Sequence, residues 1–181
     1  PRVIHLAANT RIFGDDQGSD GKSRAWQNQP TAPTEKEAYE RLANGFAVLF
    51  TNRGIPLVYY GDEIGLPGAG DPDNRRMMQF AGLSANQTWL KDRLARLLAI
   101  RKDHPALRRG IRTTLRADSD VWVYARTTTG DSVYVVINRG DSPQTVGGLP
   151  NGALSELVTQ SAAQGPSATI PPRETRVFVA K

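Results

Sequence analysis

The sequence predicts an α+β composite, with a helix–strand–helix portion over residues 1–109 and an antiparallel β-sandwich over residues 110–181. Two observations carry this. A continuously apolar run, Ile55–Tyr60, stands between two segments of helical periodicity, as expected of a strand buried on both faces in a parallel sheet. From Gly110 onward the period changes to two, and short apolar stretches alternate with Gly, Pro, Ser and Asn clusters, as in all-β modules.

Residues 9–33 are polar and rich in turn formers, so they read as a long surface loop. Thr34 is a suitable N-cap, with Glu35 and Glu37 where the helix dipole favours them. Ala38, Leu42, Phe46 and Leu49 then recur at helical spacing, and Asn52-Arg53-Gly54 supplies C-terminal chemistry. Pro56 falls near the start of the apolar run, where a missing N–H is tolerable. Residues 65–76 form a Gly-, Pro- and Asp-rich loop. A second helix is expected over 88–103, with Leu90, Leu94, Leu97 and Leu98 on one side and His104-Pro105 as its stop. In the second portion Val121–Arg126 and Ser132–Asn138 form a hairpin about Thr129-Gly130-Asp131. Thr145-Val146, Leu154–Val158 and Arg176–Val179 give further strands.

Composition removes several function classes. Hydrophobic content of 39 % and charged content of 23 % are those of a folded globular chain. No run of eighteen apolar residues is present, so no membrane span is expected. The first residues lack the pattern of a signal peptide, and the missing initiating Met makes Pro1 read as other than the natural beginning. Without Cys there are no disulfides or thiolate metal sites. Of the net charge of +5, many basic residues fall between Lys91 and Arg116 with no aromatic among them, which favours a solvated helix face over a nucleic-acid surface.

Four ordered segments resemble the α-amylase family of glycoside hydrolases. Gly54-Ile55-Pro56-Leu57-Val58-Tyr59-Tyr60-Gly61-Asp62-Glu63 is similar to that family's Gly-x-Pro-x-x-x-x-Gly-x-Glu motif, the eighth strand of its (β/α)8 barrel. Asp71-Pro72-Asp73-Asn74-Arg75-Arg76 resembles the following loop in the oligo-glucosidase, neopullulanase and cyclomaltodextrinase branch. Leu97–Leu107 resembles the last barrel helix and its exit, and Val133–Asn138 resembles a hairpin strand of the C-terminal domain. Pro1-Arg2 fits the tail of the pattern that follows the family's Asn-His-Asp motif.

The resemblance implies the C-terminal remnant of a (β/α)8 barrel followed by a sandwich, in a retaining enzyme acting on α-glucan oligosaccharides. It also implies that the catalytic carboxylates lie on earlier strands, none of them in this chain. The N-terminal barrel portion of the same enzyme would then be a partner, and the isolated chain would be inactive and prone to self-association. The residues themselves agree: a retaining glycosidase needs two carboxyl groups about 5–5.5 Å apart. Asp62 and Glu63 are neighbours at a strand end, where their side chains would point to opposite faces.

Candidate substrate-binding residues are Tyr60, Glu63, Asp73, Asn74, Arg75 and Arg76, because planar amide and guanidinium groups suit hydroxyl recognition and barrel sites gather at C-terminal strand ends. The plainer alternatives are a carboxylate at Glu63 that fixes a neighbouring Arg, and an internally hydrogen-bonded loop over 73–76. Tyr59 is expected in the core. No cofactor is expected; Asp15, Asp16 and Asp20 offer oxygen ligands of the Ca²⁺-loop type, but Gln27 stands where a bidentate Glu is wanted. His5 reads as a packed or loop histidine, His104 as a helix cap, and Trp122 as buried between sheets. A rival from another class is a non-catalytic carbohydrate-binding or scaffold protein, which an exposed aromatic pair on the sandwich would favour.

Overall fold

A computed structural model describes residues 2–9 and 26–181. Asp15, Asp16, Asp20 and most of the 9–33 loop lie outside the described residues. The chain divides into two compact units, Pro1–Leu42 with Leu57–Asp92, and Ala43–Pro56 with Arg93–Lys181.

The first unit contains helix α1 (Val3–Ala7), the opening turns of α2 (Lys36–Thr51) and of α3 (Ala85–Asp103), and two 3₁₀ turns, Asp62–Ile64 and Asp73–Arg75. Its buried apolar side chains are Ile4, Ala38, Tyr39, Leu42, Ile64, Leu66, Ala69 and Leu90. Gly65 has φ 60°, and a Cβ there would lie 2.9 Å from Tyr39 Cε1 and 3.2 Å from Ile4 Cδ1, so the turn closes against the core only with glycine. The Thr34 hydroxyl donates to the Glu35 carboxylate at 2.8 Å, and α2 begins at Lys36. Helix α3 begins at Ala85, earlier than the apolar spacing suggests, because Ser84 and Gln87 form a reciprocal capping box. The Gln87 N–H donates to Ser84 Oγ at 3.2 Å and the Ser84 N–H to Gln87 Oε1 at 3.0 Å.

The second unit holds the remainder of α2 and α3, helix α4 (Pro105–Arg109) and eight strands: β1 (Ile111–Ala117), β2 (Val121–Thr128), β3 (Asp131–Asn138), β4 (Gln144–Val146), β5 (Ala153–Glu156), β6 (Ser161–Gln164), β7 (Ala168–Ile170) and β8 (Glu174–Ala180). They make a six-stranded sheet in the order β1-β2-β3-β8-β5-β6 and a two-stranded sheet of β4 and β7. Each strand pair is antiparallel. The β2–β3 hairpin pairs Val121 with Asn138 and Thr128 with Asp131, so its turn is Thr129-Gly130. Between the sheets Val121, Val123, Val136, Val146, Leu149, Leu154, Ile170 and Phe178 form one apolar cluster.

The other face of β2 and β3 is covered too. Tyr124, fully buried, shares a hydrogen bond between its hydroxyl and that of Thr51 at the end of α2. Arg126, 2 % exposed, donates to the carbonyls of Ala106, Leu107 and Gly110 at 3.3, 3.5 and 2.8 Å. Trp122 shares this face. It is half-buried, 4.5 Å from the Tyr124 ring and beneath the Arg112 guanidinium at 5.1 Å, so it does not lie between the sheets as its strand position suggests.

Three further outcomes differ from the sequence reading. Residues 55–59 are not a strand: they pair with no other segment, and Ile55 and Leu57 are 97 % and 86 % exposed. An apolar run becomes a strand only where neighbours take its N–H and C=O groups, and no parallel neighbour exists among the described residues. Leu98 is half-exposed, and Arg101 completes the buried stripe of α3 after Leu90, Leu94 and Leu97. The basic run is therefore more than a solvated face. Arg101 donates to the carbonyls of Phe50, Asn52, Gly54 and Leu107 at 2.7, 2.9, 2.6 and 3.1 Å, closing the C-terminal end of α2. Strands β1, β6 and β7 escape the hydropathy pattern because β1 is exposed along nearly its whole length and the other two are short.

Candidate functional site

The first unit gathers its charged and aromatic groups around the turn that follows the exposed apolar segment. Gly61, at φ 88°, reverses the chain after Tyr60 and opens the 3₁₀ turn holding Asp62 and Glu63. Arg2, from just before α1, enters this turn. Its N–H donates to Gly68 O at 2.9 Å, and its guanidinium carbon lies 4.6 Å from the Tyr59 ring centre and 4.7 Å from that of Tyr60. Nη1 donates to the Tyr60 carbonyl and, at 3.3 Å, to Asp62 Oδ1. Burial pushes the Asp62 carboxyl above its ordinary value, outweighing the pull of Arg2. Three polar side chains nearby are enclosed and have no hydrogen-bond partner among the described residues: Arg2 at Nε and Nη2, Glu63 at Oε2 and Asn74 at Oδ1.

The Asp71–Arg76 loop is organised from within. Asp73, 4 % exposed, accepts the Ala69 N–H and a two-pronged interaction from Arg76 Nε and Nη2, all at 2.7 Å. Burial alone would raise this carboxyl; the Arg76 fork and the Ala69 N–H together hold it below the usual range. Arg76 Nη2 also donates to Pro30 O at 3.0 Å, and the Tyr60 hydroxyl donates to Arg76 O at 3.1 Å. His5 Nε2 accepts the Gly68 N–H at 3.1 Å, which leaves its proton on Nδ1. Desolvation, helped by the nearby Arg76 charge, lowers the imidazole to about 4, so it is neutral at physiological pH. A Cβ on Gly68 would come within 2.8 Å of Asp73 O, so this crossing of backbones also requires glycine.

The six sequence candidates thus fall in one neighbourhood but differ in availability. Asp73 and Arg76 are committed to each other, Tyr60 bridges the two loops, and Glu63 and Asn74 each keep an unpaired buried oxygen. Arg75 is exposed and ion-paired with exposed Asp71, so its guanidinium faces solvent and can exchange its partner for a ligand hydroxyl or oxyanion. Tyr59 is 48 % exposed rather than in the core. Asp62 is engaged by Arg2 and Asp73 by Arg76. Sequence reading missed Arg2 and His5 as members of the cluster, since nothing in spacing or hydropathy ties them to residues about sixty positions away.

Residues 120–180 match the family described as the β-galactosidase C-terminal domain. Over 155 residues the chain is 35 % identical to a cyclomaltodextrin glucanotransferase of Paenibacillus macerans, covering 83 % of this chain and 20 % of that protein. A cyclomaltodextrinase of Geobacillus thermopakistaniensis is 41 % identical over 98 residues, or 53 % of this chain and 16 % of its own length. The crystal structure of an Anoxybacillus α-amylase superposes with a TM-score of 0.71 at 30 % identity, covering 78 % of this chain and 32 % of that one. The chain belongs with the C-terminal regions of α-amylase-family glycoside hydrolases. It spans a fifth or less of these two curated relatives and about a third of the Anoxybacillus amylase.

Proposed function

We propose that this chain forms one wall of the active site in a retaining α-glucan hydrolase or transglycosylase. In this reading residues 1–109 supply the segment that becomes the last strand of the (β/α)8 barrel once it is paired, together with its flanking helices, and residues 110–181 a stabilising β-sandwich. The observation that carries the reading is the placement of the polar cluster: Tyr60, Glu63 and the Asp71–Arg76 loop stand at the exit of the extended apolar segment, and the ends of barrel strands are where such sites assemble. The exposed Ile55 and Leu57 side chains and the unpaired backbone of that segment suit insertion between two neighbouring strands. Bond cleavage falls to carboxylates outside these 181 residues, because Asp62 and Asp73 are held by arginines. The sandwich supports the enzyme reading over a binding module: Tyr124 is buried and Trp122 lies beneath Arg112, so β2 presents no open aromatic pair.

In this reading Arg75 contacts the glucan. An enzyme joining this chain to the remaining barrel strands should hydrolyse or transfer α-glucosidic bonds, and Arg75→Ala should lower its kcat/KM by about 10–150-fold, the loss of one charge-assisted hydrogen bond of about 1.5–3 kcal/mol. Unchanged kinetics across oligosaccharide lengths would remove Arg75 from the site. An inert, fully assembled enzyme would remove the α-glucan function itself.

A further inference from the structure

Arg2 is engaged differently from the other two buried arginines among the described residues, Arg101 and Arg126. Arg101 donates to four carbonyls and Arg126 to three, so each is largely satisfied. The Arg2 side chain is 2 % exposed, yet only Nη1 is used, while Nε and Nη2 are unpaired. Enclosing a cation with idle donors is costly, so Arg2 is a poor device if its purpose is stability alone. Its engaged groups all converge on one place. The guanidinium lies against both the Tyr59 and the Tyr60 ring, which also touch each other at 4.7 Å between centres, and Nη1 takes the Tyr60 carbonyl as well as Asp62 Oδ1. Tyr60 is thereby fixed by its ring and its carbonyl, and its hydroxyl in turn donates to the carbonyl of Arg76. Arg76 forks onto Asp73, which holds the Ala69 N–H.

We propose that Arg2 is a positioning residue: through Tyr60 it sets the backbone of the Asp71–Arg76 loop, and so the orientation of the exposed Arg75 towards the glucan. The proposal rests on the α-glucan reading given above. A lysine can replace the charge and one hydrogen bond, but its point-like ammonium cannot cover two ring faces at once. A methionine keeps volume and loses the charge.

In the assembled enzyme, Arg2→Lys should lower kcat/KM about tenfold or more, mainly through KM for oligosaccharides long enough to reach the loop, and Arg2→Met should lower it further. Tyr60→Phe cuts the link to Arg76 while keeping the ring. The double variant Arg2→Lys/Tyr60→Phe should therefore be no worse than Arg2→Lys, a non-additivity that loss of stability alone would not produce. Wild-type kinetics in Arg2→Lys, or fully additive losses, would overturn the assignment. A second readout needs no activity. In the 181-residue chain the amides of Asn74 and Arg75, bonded to Gly70 O and Pro72 O at 3.2 and 3.0 Å, should exchange about tenfold faster in Arg2→Lys, with those of β2 and β3 unchanged. Equal exchange would refute the positioning role. Should Arg2→Lys fail to fold, Tyr60→Phe decides by the same amides, where acceleration supports the role and no change refutes it. An inactive wild-type enzyme whose loop still loosens in Arg2→Lys would fault the α-glucan reading and leave the Arg2 linkage standing.

Discussion

The side-chain amide of Asn138 donates to the carbonyls of Ser142, Ile170 and Pro171 at 2.9, 3.2 and 2.9 Å, and its backbone carbonyl accepts from Asn44 Nδ2 at 3.0 Å. One polar residue thus pins the end of β3 to β7 and to α2, which gives a physical reason for an Asn at the close of an apolar strand. Arg101 acts in the same manner at the end of α2. Arg101→Met should destabilise the chain by about 2–4 kcal/mol, because the four carbonyls it serves would be left short of donors; urea unfolding measures this, and a loss below about 1 kcal/mol would refute the capping role. His5 makes stability depend on pH. The unfolded imidazole takes its proton near 6.5 and the folded one near about 4, so its contribution is complete above 6.5 and is lost as pH falls from 6.5 towards 4. The loss is at most about 3.5 kcal/mol. Asp73 beside it, held below its ordinary value, adds a loss only at lower pH still. In His5→Gln, whose amide oxygen can still accept the Gly68 N–H, the fall in unfolding free energy between pH 7 and 4.5 should be smaller than in the wild type. An equal fall in both proteins would clear His5 of the effect.

Among the elements, the capping box before α3 admits a direct check: Ser84→Ala should cost about 1 kcal/mol of thermal stability, and an unaltered midpoint would mean that the helix start is set by packing instead. That box also shows where sequence reading was efficient and where it was not. Helices α2 and α3 and strands β2, β3 and β8 are legible, because each carries an apolar period long enough to fix its face, whereas the strand expected over Leu154–Val158 is the shorter Ala153–Glu156. Strand β1 is not legible, since Ile111–Ala117 is held by pairing with β2 rather than by burial, and pairing leaves no trace in hydropathy. The 55–60 segment failed in the opposite direction: its apolarity was read correctly, but strand formation depends on neighbours that a local pattern cannot supply. The candidate loop stands out in the sequence by its resemblance and by its residue types. The arginine that organises it was invisible, because a contact across 58 positions in sequence has no periodic signature.

For the molecule as a whole, Ile55, Leu57, Met77 and Phe80 are each at least 86 % exposed, more large apolar surface than a solitary chain ordinarily leaves in water. The free chain should therefore self-associate. Sedimentation should show species larger than 19.8 kDa at micromolar concentration, and Ile55→Lys/Leu57→Lys should reduce them. A clean monomer in both proteins would contradict this. The sheet order carries a separate implication for how the second unit comes into being. Strand β8 follows all the others in sequence, yet it lies between β3 and β5. Until Glu174–Ala180 has left the ribosome, the β1–β2–β3 meander and the β5–β6 hairpin lack the strand that pairs with both. Closure must then span about forty residues back to β3, a non-local pairing that forms more slowly than the β2–β3 and β5–β6 hairpins. A nascent chain halted before Glu174 should be readily digested, and one released beyond Ala180 should resist.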